Sequence, residues 1–175
     1  STSDIPADLA ASLGITVVPL NVNFGTDSFK DSVTLSADEF YSRLTGGATL
    51  PTTSQPSPGD FVEIYDRLGE DADGIVSVHL SARESGTYNS AMQAKAETKA
   101  ECPIEIVDSE QFSMGLGMIA MSAARAATEG AGLQEVAAAA NEAKGRSEVI
   151  CAFETLDYLI KGGRVGKAQG LIGSI

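Results

Sequence analysis

Ile75-Val76-Ser77-Val78-His79-Leu80-Ser81-Ala82-Arg83-Glu84-Ser85-Gly86-Thr87-Tyr88 is the stretch whose reading decides the fold. Its first six residues form an apolar, β-branched run of strand length. Ser81 to Ser90 follows as a polar loop, and Tyr88 to Lys99 reads as a helix. In strand–loop–helix order, Ser85-Gly86-Thr87 lies at the carboxyl end of a strand and in the first turn of a helix. The free N–H groups and positive dipole end there favour an anion, and open α/β sheets bind ligands at that edge. The competing reading is that Ser85 or Thr87 only caps the helix, as such residues commonly do.

Working outward, the same alternation continues on both sides. Downstream, Ile104 to Asp108 reads as a strand, Met114 to Ala127 and Leu133 to Lys144 as alanine-rich helices, Val149 to Phe153 as a strand, and Thr155 to Ile160 as a helix that Lys161 to Lys167 breaks. Upstream, Ser57-Pro58-Gly59-Asp60 opens a helix with a cap, a first-turn proline and an acid three residues on. Phe61, Ile64, Tyr65 and Leu68 give that helix its apolar stripe. Ala48 to Asp60 holds three prolines and reads as a stiff loop outside any sheet. Ser36 caps a further helix, which Gly46-Gly47 closes. Ile15 to Phe24 reads as a strand with Pro19 at an edge or bulge, and Ser3 to Leu13 as a short helix capped by Asp4 and ended by Gly14. Strands alternating with helices predict an α/β fold: a parallel sheet with helices on both faces.

The composition bounds the function. With 175 residues, 43% hydrophobic and 21% charged, the chain is long enough for one well-buried domain. A net charge of −12 argues against a general nucleic-acid or anionic-membrane surface, so an anion site must be a focused cluster. No run approaches the ~20 apolar residues of a membrane span, so no stable membrane insertion is expected. Cys102 and Cys151 make neither a disulfide framework nor a metal-ligand spacing, and His79 is the only histidine; no metal and no cofactor is expected. With no secretory signal at the start, a cytoplasmic location is the simplest expectation. Both ends read as cut, since no strand precedes Ser1 and Gly173-Ser174-Ile175 falls inside an apolar segment.

Three further segments bear on chemistry. Pro51-Thr52-Thr53-Ser54-Gln55-Pro56 offers three hydroxyls and an amide on a proline-stiffened backbone, suited to a carboxylate or phosphate or simply to a self-satisfied turn. Lys161-Gly162-Gly163-Arg164-Val165-Gly166-Lys167 lies in an acid-free stretch from Tyr158 to Ile175 and offers a two-donor guanidinium. Gly115-Leu116-Gly117-Met118-Ile119-Ala120 matches a dinucleotide pattern, but the strand ends too far back for the tight turn that pattern serves. Its small residues predict close packing against the sheet, with Met114, Met118 and Met121 as possible lining for an apolar ligand. His79 sits within a strand and the chain has no G-x-S-x-G elbow, so a nucleophilic triad has little support.

Taken together, these segments resemble the DegV family of bacterial fatty-acid-binding proteins, called FakB when paired with a fatty-acid kinase. The resemblance rests on Ser3-Asp4-Ile5-Pro6, Gly14-Ile15-Thr16-Val17-Val18-Pro19-Leu20, Pro51-Thr52-Thr53-Ser54-Gln55-Pro56-Ser57, Leu80-Ser81 with Ser85-Gly86-Thr87-Tyr88, Val107-Asp108-Ser109 with Met114-Gly115-Leu116-Gly117, and Tyr158-Leu159 with Lys161-Gly162-Gly163-Arg164. It implies a two-domain protein with a long-chain fatty acid between the domains. Residues 1–154 would form the α/β head-group-binding domain without its first strand, and residues 155–175 the start of a second domain mostly absent from this chain. Thr53 and Ser85, with Ser54, Gly86 and Thr87 beside them, would hold the carboxylate. Arg164 would sit where the head group meets the partner, a separate fatty-acid kinase subunit that makes the acyl phosphate used in phospholipid synthesis. Another family head-group contact, a histidine, falls in the absent half, and His79 does not match it by position. On this reading the chain is a carrier with no catalytic residue of its own. The rival expectations are an α/β phosphotransferase or hydrolase using Ser85 with Arg164, and a regulatory domain for a small anion.

Overall fold

The structure is a computed structural model that describes residues 2–47 and 49–164. Ser1, Ala48 and residues 165–175 lie outside the described residues, and with them Val165, Gly166, Lys167 and the apolar segment ending at Ile175.

β4 (Ile75–His79) and β5 (Ile104–Asp108) form a parallel pair, with Ile75 opposite Ile104 and His79 opposite Asp108. Their side chains alternate between two cores, as a strand's period of two dictates. Ile75 and Ile104 pack with Phe61 and Tyr65 of α3 (Pro58–Gly69) and with Ala91 and Ala94 of α4 (Thr87–Glu97). Val107, flanked by Val76 and Val78, packs instead with Ile119 and Ala123 of α5 (Ser113–Thr128) and with Val136, Ala140 and Ala143 of α6 (Leu133–Gly145). The layers are therefore helix, sheet, helix, as the alternation in the sequence predicts.

Two helix starts follow their sequence signals. Ser57 Oγ accepts from the Asp60 N–H while the Asp60 carboxylate accepts from the Ser57 N–H, a complete capping box on α3. Ser36 Oγ accepts from the Glu39 N–H at the start of α2 (Ala37–Gly46).

Six expectations need correction. A second, antiparallel sheet exists, in the order β2 (Asp27–Lys30), β1 (Asn21–Phe24), β3 (Thr52–Ser54). The strand expected over Ile15 to Phe24 thus begins only at Asn21, past Pro19, which has no N–H to give a ladder. The loop expected over Ala48 to Asp60 contains β3, because Thr52 to Ser54 precedes Pro56 and keeps its donors free to pair with β1. Asp4 does not cap α1 (Ala7–Ser12); its carboxylate accepts from Ser113 Oγ at 2.6 Å, and Pro6 takes the cap position. Val149 to Phe153 is not a strand, since its backbone finds no partner strand among the described residues, and α7 (Asp157–Lys161) starts two residues later than expected.

The glycines of α5 explain the false dinucleotide pattern. A Cβ on Gly117 would sit 2.5 Å from the Ser3 carbonyl oxygen, and one on Gly115 would sit 2.3 Å from Val149 Cγ2. These positions admit close approach of the Ser3–Ile5 segment and of Val149 rather than of the sheet itself.

Along its other edge β4 borders a groove of about 570 Å³, with Ile15 to Val18 among its opposing lining and Phe61, Tyr65 and Leu116 on its walls. Tyr65 donates to Ser77 Oγ at 2.9 Å, and Ser77 Oγ meets His79 Nε2 at 2.8 Å.

Candidate functional site

The loop after β4 is built on Ser81. Its carbonyl accepts from the N–H groups of Glu84 and Ser85, and its Oγ from the N–H of Arg83, which folds the chain back before α4. Asp108, at the end of β5, fixes the loop from the side. Its two carboxylate oxygens accept from the Ala82 N–H at 3.2 and 3.3 Å, and Oδ1 also accepts from the Glu110 N–H. Ser81 N–H in turn donates to the Gln111 carbonyl. The turn at the end of β5 is clamped by Lys144, which donates to the Asp108 carbonyl and pairs with Glu110 at 2.6 Å. That bond holds the Glu110 carboxyl below its ordinary range.

Within this frame Ser85 is half-buried and Thr87 wholly buried. Their hydroxyls share a hydrogen bond of 2.9 Å, and Ser85 Oγ accepts from the Thr87 N–H at 3.3 Å. Gly86 takes the cap position of α4 without a side-chain cap bond, so neither Ser85 nor Thr87 caps the helix as the competing reading expected. Thr87 is placed to orient Ser85 rather than to face outward.

The second loop comes from β3. Thr53 pairs with Val22, and Ser54 with Asn21 of β1. Asn21 Nδ2 donates to Ser54 Oγ at 3.3 Å and to the Gln55 carbonyl at 3.4 Å. Thr52, Thr53 and Ser54 are exposed, and Pro56 immediately beyond is fully buried. Among the described residues, the Thr53 hydroxyl has no hydrogen-bond partner.

The two loops meet at one place, which the sequence alone did not reveal. A Cβ on Gly86 would lie 2.8 Å from Gln55 Nε2 and 3.1 Å from its Cδ, so the Gln55 amide lies against the glycine. The segment after β3 and the loop before α4 thus touch through Gln55 and Gly86. The Gln55 amide in the proline-stiffened segment is the only sequence signal for it, since no spacing rule links Gln55 to Gly86.

The other expected site residues are placed elsewhere. Arg164 is exposed, and its Nη1 donates to the Gly162 carbonyl of its own turn. Met114 and Met118 are exposed, Met118 by 54%; Met121 is 7% exposed and belongs to the buried face of α5. The groove beside β4 is lined by none of the hydroxyl-loop residues. His79 is 5% exposed, with the Phe61 ring edge-on at 5.2 Å, and burial pushes its imidazole down to about 4. It is a neutral, packed strand residue. Among the described residues, Ser85 has no histidine or carboxylate within hydrogen-bond reach, the pairing that a serine nucleophile requires. No cluster of potential metal ligands occurs among them, and no helix there is long and apolar enough to cross a membrane.

Over residues 1–175 the chain matches the family model described as Uncharacterised protein, DegV family. It is 41% identical over 175 residues to a DegV domain-containing protein of Caldanaerobacter subterraneus subsp. tengcongensis, covering 100% of this chain and 62% of that protein. Among solved structures, a DegV family protein of Thermus thermophilus, whose structure is described as showing fatty-acid binding, matches with a TM-score of 0.84 and 37% identity over 99% of this chain and 61% of its own. DegV of Bacillus subtilis, described as a fatty acid binding protein, matches with a TM-score of 0.86 and 30% identity over 100% of this chain and 62% of its own. The chain therefore spans less than two thirds of the length of these relatives.

Proposed function

The chain belongs to the DegV family, and on that premise we propose that it binds a long-chain fatty acid by its carboxylate. The observation that carries this reading is the convergence of two hydroxyl-bearing loops at the Gln55–Gly86 contact. Ser85 presents a hydroxyl oriented by buried Thr87, and Thr53 presents a free one from β3. A carboxylate is costly to bury without donors, and hydroxyls from two loops supply them without a buried countercharge. Ser54 Oγ accepts from Asn21, which leaves its own O–H free to donate. Gly86 keeps the approach open, and the backbone there begins an eleven-residue helix whose positive end favours the anion.

In the longer protein, residues 1–154 form the head-group domain and residues 155–175 begin a second domain that covers the acyl chain. Met114 and Met118, exposed in this chain, would line the covered tunnel from one side. Each buried CH₂ adds about 0.8 kcal/mol, so a long chain binds tightly only when so enclosed. Arg164, on the exposed turn after α7, faces the partner that phosphorylates the acid, a separate kinase subunit. The protein itself does no chemistry, works in the cytoplasm, and passes an acyl phosphate toward phospholipid synthesis.

The test is mass spectrometry of lipid extracted from the purified protein. A co-purified long-chain fatty acid, lost in a Thr53→Ala/Ser85→Ala double variant that still folds, is the expected result. Absence of lipid, with none taken up when palmitate is offered, would refute the reading.

A further inference from the structure

We propose that Gln55 is a specificity-determining residue of this head-group site, donating from its side-chain amide to an ionised carboxylate lying between Thr53 and Ser85. The inference rests on the fatty-acid reading above and extends it to a residue outside the two hydroxyl loops' own serines and threonines.

The backbone of Gln55 is fixed from both sides. Asn21 Nδ2 holds its carbonyl, and the next residue, Pro56, is fully buried ahead of the Ser57 cap of α3. The side chain then reaches across to the start of α4. Its Nε2, Cδ and Oε1 lie 2.8, 3.1 and 3.6 Å from the position of a Cβ on Gly86, so the amide rests along that glycine over its whole width. Gly86 has φ −74° and ψ 2°, which any residue can adopt. The glycine is therefore not required by its backbone conformation, and its missing side chain leaves the space the amide occupies.

The Gln55 amide makes no hydrogen bond among the described residues, although its neighbours Asn21, Ser54, Ser85 and Thr87 are all bonded to one another in pairs. It is exposed, and its two N–H donors are available to a ligand oxygen. A donor facing an ionised oxygen forms a stronger bond than one facing a neutral oxygen. The amide should accordingly distinguish a carboxylate from an alcohol on the same acyl chain.

The experiment compares palmitate with hexadecanol by titration against the protein and its Gln55→Met variant, which keeps the side-chain length and removes the donors. Palmitate affinity is expected to fall about tenfold, the loss of one hydrogen bond to a charged group, while hexadecanol affinity changes less than about twofold. Gly86→Ala is expected to weaken palmitate binding in the presence of Gln55 and to cost several-fold less in a Gln55→Ala background, because the obstructed amide is then gone. Unchanged palmitate binding in Gln55→Met, with the wild type binding normally, overturns the role of Gln55 and leaves the fatty-acid reading intact. Equal losses for palmitate and hexadecanol show that Gln55 only spaces the loops and also overturn the proposal. A folded wild type that binds neither ligand refutes both readings.

Discussion

Gly117→Ala offers a test in which two known effects of opposite sign are separated by the packing around α5. Removing a glycine from a helix interior stabilises by up to about 1 kcal/mol. Here the new methyl would lie 2.5 Å from the Ser3 carbonyl oxygen and 3.2 Å from both Ile5 Cγ1 and Met114 Sδ. The nearest of these is backbone, so no rotamer change relieves it. Ser3 is itself buried, and the next residue, Asp4, stands in the left-handed region at φ +52° with its carboxylate on Ser113. Displacing the Ser3 carbonyl by several tenths of an ångström therefore strains a segment that is already constrained. Overpacking of this kind costs about 1–3 kcal/mol or more, which exceeds the propensity gain. The net expectation is a loss of about 1–2 kcal/mol, or a fall in Tm of about 2–8 °C for a domain of this size. Thermal melts followed by circular dichroism measure it, with Gly145→Ala as the control: nothing lies within 4 Å of a Cβ there, so only the propensity gain remains. A Gly117→Ala protein that melts at or above the wild type would refute the packing argument.

Two further outcomes follow from buried hydroxyls and the lone histidine. Thr87→Val keeps the volume of a fully buried side chain and removes the hydroxyl that orients Ser85. Palmitate affinity should fall about three- to tenfold in a calorimetric titration, and unchanged affinity would show that Ser85 needs no such partner. His79 titrates near 4 in the folded chain because burial disfavours its cation, against 6.5 ordinarily. Between those values the unfolded chain binds the proton more readily, so stability is complete above pH 6.5 and falls as pH drops, by about 2 kcal/mol at pH 5. Urea melts at pH 7 and 5 should show this slope, and His79→Leu should flatten it; an unchanged slope in that variant would assign it elsewhere.

How far the sequence could carry these arguments depends on the range of the interactions involved. The capping box at Ser57 and Asp60 and the cap at Ser36 lie within three residues of their partners, so their residue types announce them. The alternation of Ile75 to His79 and Ile104 to Asp108 likewise encodes which core each side chain enters. Asp4 shows the limit of local reading. It has the chemistry and spacing of a helix cap, yet Ser113, distant in sequence, takes its carboxylate at 2.6 Å. The short strand β3 is invisible for the same reason: its pairing with Asn21 to Asn23 is a property of β1, and its prolines mask it locally. The site combines both cases. Ser85 and Thr87 are legible as a motif because they lie two residues apart and bond to each other. That Gln55 meets Gly86 is set by where the segment after β3 meets the loop before α4, and only the absence of a side chain at position 86 marks it in the sequence. Gly86, the N-cap of α4, has an ordinary negative φ and so no backbone need to be glycine, and its missing side chain leaves room for the Gln55 amide. That inference can be drawn only once the backbone angle is known, which is why this half of the head-group site becomes legible in the structure and not before it.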